Sequence, residues 1–114
     1  MPRYRFPRDA ESARKLEEID ALISSAMRLL KEIANVRERL YWSQNCPLEV
    51  MLRVDDLKGR TEEFCEICYQ RHFSLLEGKS VSDTDIAGLQ KSYERLKEAW
   101  LEFLRMTGLG ILWI

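Results

Sequence analysis

One histidine, His72, is all that the 114 residues provide. A Ser-His-Asp or Cys-His site would have to be built on it. No Asp or Asn stands beside it in the chain to orient its ring. Cysteine is scarce and odd in number: Cys46, Cys65 and Cys68. An odd count closes no disulfide framework and points to a reducing compartment. Neither sign of charge prevails. Eighteen Lys and Arg stand against 19 Asp and Glu, for a net charge of −1. No global field therefore draws the chain to nucleic acid or to an anionic membrane. Long apolar runs are missing as well. No stretch approaches the ~20 apolar residues of a membrane span. The opening Met1-Pro2-Arg3-Tyr4-Arg5-Phe6 has no apolar run behind it, unlike a signal peptide. These absences are read as a cytoplasmic protein, in its own cell or a host's, with no membrane partner.

Glycine and proline are few, five and three, and neither occurs between Asp9 and Trp42. That stretch organises the chain. Leu16, Ile19, Ile23, Ala26, Leu30, Ile33 and Leu40 form an apolar stripe at helical period. Leu22, Leu29 and Val36 form a second stripe beside it. A helix with two adjacent apolar faces is built to touch two other helices. The first helix is expected over 9–42, with Asp9 as its cap and Glu11 favouring the positive end of the dipole.

Asn45 then reads as a cap and Pro47 as a first-turn residue, opening a second helix over 47–77. Its stripe is Val50, Val54, Leu57, Thr61, Phe64, Cys68 and Leu75. Gly59 falls in the middle, but the stripe keeps its phase across it. One continuous helix is expected, with a break at Gly59 as the alternative. Gly78 reads as a C-terminal cap, and Ser82 with Asp85 as a capping box for a third helix over 83–107. Ile86, Leu89, Tyr93, Leu96, Trp100 and Phe103 share its apolar face. A basic and aromatic arm, 1–8, precedes the helices, and an apolar tail, 109–114, follows. The fold class is all-α: one domain over 1–114, an antiparallel three-helix bundle of long helices with an apolar C-terminal tail.

Cys65-Glu66-Ile67-Cys68 with His72 is the most suggestive cluster. On a helix these three side chains share one face, and thiolate and imidazole are zinc ligands. This is the metal reading of the chain. Against it, Cys46 stands about 28 Å away along a continuous helix at 1.5 Å per residue. Structural zinc also prefers a Cys-x-x-Cys on a tight turn. Two buried cysteines and a boundary histidine are the better account, so no cofactor is expected. Glu62, Glu63 and Glu66 would oppose a redox-active thiolate.

Asp83-Thr84-Asp85-Ile86-Ala87-Gly88 with Glu94 partly imitates a calcium loop, but Ala87 replaces an oxygen ligand and Gln90 an apolar anchor. A capped helix start fits better. Gly78-Lys79-Ser80 lacks the first glycine of a phosphate-binding loop, because position 73 is Phe73. Ile19-Asp20-Ala21-Leu22 followed by Leu29-Leu30 resembles the opening helix of the helical chorismate mutases, over about one helix. That family places an active-site arginine shortly after the paired leucines. Ile33 stands at that position here, so a dicarboxylate substrate has no clamp and the resemblance assigns no activity.

What remains is recognition. Arg3, Tyr4, Arg5, Phe6 and Arg8 interleave cations with rings, a pattern that binds phosphate and stacks on bases. The plainer account packs the rings on the bundle and leaves the arginines in water. Ile111, Leu112, Trp113 and Ile114 form an apolar run that calls for cover, against Trp42 and the first link, a second copy or a partner. The sequence is therefore read as a non-enzymatic protein–protein interaction module: a small helical adaptor, chaperone or inhibitor that also self-associates as a homodimer. Nucleic-acid binding through the arm is the first alternative, and zinc binding through Cys65, Cys68 and His72 the second.

Overall fold

A computed structural model describes residues 10–108. Three helices follow in order: α1 (Ala10–Trp42), α2 (Leu48–Leu76) and α3 (Asp83–Thr107). Each packs against the other two, and α1 with α2 forms the most extensive seam. The result is an all-α three-helix bundle, elongated to 55 × 27 × 22 Å. Its length follows from α1, whose 33 residues rise about 1.5 Å each.

The helix ends follow their local chemistry. Asp9, the expected cap of α1, lies outside the described residues. Pro47, with φ −61° and ψ 143°, is itself the N-cap of α2, and no side chain caps that end. The expected roles of Asn45 and Pro47 are thus corrected. An extended proline needs no N–H, and its carbonyl accepts from Val50 and Met51 at 3.1 and 3.3 Å. At the other end of α2, Gly78 adopts φ +83°. Its N–H donates to the Leu75 carbonyl at 3.1 Å, and that of Lys79 to Ser74 at 2.8 Å. This is a Schellman closure, which glycine enters without strain. Ser82 and Asp85 form the capping box of α3, and Gly108 ends that helix in the left-handed region. Val81 and Ile86, both buried, occupy the positions of a hydrophobic staple.

Both stripes of α1 face inward, since Ile19, Ile23, Ala26 and Ile33 are buried and so are Leu22, Leu29 and Val36. Leu30 is a correction. It is only half-buried and stands outside the core cluster, whereas its neighbour Leu29 is inside. α2 contributes Val54, Leu57, Phe64, Cys65, Cys68 and Leu75, and α3 contributes Trp100 and Phe103, whose rings stack at 5.4 Å. The buried Thr61 hydroxyl donates to the Leu57 carbonyl at 2.8 Å, so it carries no unmet bond.

α2 is continuous through Gly59. An added Cβ there meets nothing within 4 Å, and the backbone is not in the left-handed region. Gly59→Ala is therefore expected to stabilise by up to ~1 kcal/mol, chiefly by restricting the unfolded chain. A lowered denaturant midpoint would contradict an unbroken α2.

Candidate functional site

The cysteine cluster does not form a reactive site. Cys68 is fully buried and Cys65 nearly so. Burial pushes the Cys68 thiol up to about 11, and the neighbouring Cys65 adds to the shift. Cys65 rises too, by burial and then by Glu62. A thiolate would have to form without water, so these sulfurs pack as small apolar groups. His72 lies on the next turn, half-buried, but its Nε2 faces the Asp20 carboxylate of α1 at 2.9 Å. The sequence offered no local partner for that ring. The partner arrives across the α1–α2 seam. Among the described residues no three His, Cys, Asp or Glu side chains converge to hold a metal ion.

Two consequences can be measured. At pH 8 a disulfide reagent is expected to modify the half-exposed Cys46 quickly and to reach Cys65 and Cys68 only on unfolding. Stability should also depend on pH through Cys68. The folded pKa lies above the unfolded one, so the contribution is complete below about pH 9. It is lost as pH rises toward about 11, because the unfolded chain releases its proton first. Denaturant midpoints for the wild type and Cys68→Ala should converge over that interval. Parallel curves would refute the assignment.

The resemblance to a calcium loop dissolves into helix geometry. Asp83 accepts from Arg14 at 2.9 Å, which holds its carboxyl below the ordinary range. Asp85 is engaged in the capping box. Lys15 donates to the Val81 carbonyl at 2.7 Å. These bonds fasten the start of α1 to the α2–α3 link.

The opposite end is built differently. There α1 stops, α2 starts and α3 stops, and large apolar side chains remain in water. Trp42 is 74% exposed and Leu48 73%, and Tyr41, Leu52 and Met106 are each more than half exposed. Tyr41 and Trp42 meet edge to face at 5.5 Å. Arg53 lies on the Met106 sulfur at 4.0 Å, tying α2 to α3 at this end. Isolated exposed apolar residues are ordinary, but five gathered at one end are a candidate contact surface.

No family model, curated protein or solved structure matches this chain.

The apolar end must therefore be judged on its own chemistry. The sequence singles out Trp42 as a candidate contact residue, and it is exposed here, but Tyr41, Leu48, Leu52 and Met106 were not singled out. Leu48 and Leu52 sit four residues apart and roughly opposite the Val50–Val54–Leu57 stripe, an off-phase signal that could have marked them. The arm residues Arg3, Tyr4, Arg5, Phe6 and Arg8 and the tail residues Ile111, Leu112, Trp113 and Ile114 lie outside the described residues. At the position of the chorismate mutase arginine, Ile33 is fully buried, so it faces the core and no substrate. No helix among the described residues is long and apolar enough to cross a membrane.

Proposed function

We propose that this protein is a non-enzymatic binding module that works by holding another protein against the apolar end of its bundle. The observation that carries this reading is the exposure of Tyr41, Trp42, Leu48, Leu52 and Met106 at that end. Tryptophan and tyrosine are the side chains that most often anchor protein interfaces, because they bury large area with little rotamer entropy. Adaptors, chaperones and inhibitors built as small helical bundles are the corresponding functional class, by analogy of fold alone.

The test is capture from the native cell or host with the full chain and with a Trp42→Glu/Leu48→Glu variant, read by mass spectrometry. A specific protein retained by the wild type and lost by the variant supports the reading. Identical capture by both would end it. Repeating the capture at low and moderate salt separates the nucleic-acid alternative. An apolar contact changes little, whereas phosphate contacts weaken steeply.

A further inference from the structure

We infer that the groove between α1 and α3 binds a small organic monocarboxylate. The site is separate from the apolar end and does not depend on what docks there.

The groove follows from unequal packing. α1 lies less extensively against α3 than against α2. Between α1 and α3 there is a cleft of about 410 Å³, within the roughly 300–1,000 Å³ of small-molecule sites. Leu29 from α1 and Tyr93 and Trp100 from α3 give it an apolar wall. Leu29 and Trp100 belong to the core cluster and Tyr93 packs against it, so the bundle itself holds that wall in place.

Charge selects the ligand. Arg28, Glu32 and Lys97 are the charged residues of the lining, and all are exposed. Arg28 reaches the Ser25 hydroxyl at 3.4 Å. Neither Arg28, Glu32 nor Lys97 joins an ion pair among the described residues. Two cations against one carboxylate leave a single positive charge in surplus. One carboxylate on a ligand balances it, and a second would meet Glu32. Exposed charges contribute little singly, so the apolar wall must hold the body of the ligand while the cations hold its head.

An unmet donor asks for the same chemistry. Trp100 Nε1 is buried without a hydrogen-bond partner, and Trp100 borders the cleft. Closed to water, Nε1 gains an acceptor from a group that seats in the cleft and shifts a neighbouring side chain. A carboxylate oxygen is such an acceptor, and it would recover the free energy that an unmet buried donor costs.

A nuclear magnetic resonance titration of the isotope-labelled full chain with phenylacetate tests the inference. Binding is expected with a Kd on the order of 0.1–1 mM, the scale for so small a ligand. The Trp100 indole N–H resonance, identified by its loss in Trp100→Phe, should shift together with amides of 25–32 and 93–101. The Trp42 indole should stay where it is. Phenylacetamide, the same body without the charge, should bind about tenfold more weakly, and phenylsuccinate, with a second carboxylate, no more tightly. Arg28→Gln/Lys97→Gln should weaken phenylacetate about tenfold with an unchanged far-ultraviolet spectrum. The two single variants give the same direction should the double variant not fold. Arg71→Gln removes an exposed charge on α2 and should change nothing. A wild type without shifts up to about 10 mM phenylacetate overturns the inference. So do equal binding of phenylacetamide, tighter binding of phenylsuccinate, or undiminished binding by the Arg28/Lys97 variants. A loss as large in Arg71→Gln would show net charge alone at work, and shifts at Trp42 in place of Trp100 would put the ligand on the apolar end. Either result refutes the cleft as the site.

Discussion

Trp100→Ala is expected to remove about 3–5 kcal/mol of folding stability, the range for deleting a large buried ring. Trp100 is 1% exposed, stacks on Phe103 with the ring planes 16° apart, and fixes the last turns of α3 to the core. Domains of this size hold about 5–15 kcal/mol in all, so one side chain here carries a large share. The indole also sets up its own control. Its Nε1 is the buried side-chain nitrogen or oxygen that has no hydrogen-bond partner among the described residues, and a buried donor left unmet is costly. Trp100→Phe keeps a ring beside Phe103 and removes that donor. Its loss should be well below that of Trp100→Ala. Urea titration of both variants checks the order. A Trp100→Ala loss under about 1 kcal/mol would mean that α3 does not dock by this face.

Ile33→Ala is expected to cost about 2–5 kcal/mol, and Leu30→Ala only about 1 kcal/mol. The two residues lie three apart on α1 and belong to one stripe by period alone. Burial separates them. Ile33 has no exposed surface, whereas Leu30 is half-buried and outside the core cluster. Deleting Ile33 leaves a hole that packed neighbours on both sides fill only in part, and deleting Leu30 opens a notch that water fills. Parallel denaturation curves give the comparison. If Leu30→Ala proves the costlier change, α1 is rotated about its axis so that Leu30, not Ile33, points into the core.

That pair also marks how far the sequence could be read. Period, caps and links were legible, because 3.6-residue spacing, Gly78, Gly108 and the Ser82–Asp85 box each act through local geometry. The choice between Leu29 and Leu30 was not. With two adjacent apolar stripes, the buried face depends on the angle at which α2 and α3 approach, and no local rule fixes that angle. Pro47 was misplaced for a related reason: both Asn45 and Pro47 suit a helix start, and the path of the first link decides between them. The Asp20–His72 contact joins residues far apart in sequence and left no local trace. At the candidate site Trp42 stood out because it closes a long helix beside a short link. Leu48, Leu52 and Met106 were hidden because an apolar residue off its stripe reads as incidental until the fold gathers several at one end.

The unequal seams of the bundle have a kinetic consequence. α3 touches α1 and α2 each less extensively than those two touch one another. Cooperative units in such a molecule need not coincide with the whole chain. The helical hairpin of α1 and α2 is one natural foldon, and α3 is another that can swing away at lower free energy while the hairpin persists. Amide hydrogens of α3 should then exchange through this sub-global opening, ahead of the slowest amides of the hairpin. Trp100 and Phe103, both on α3, would stay stacked on each other and leave the hairpin together.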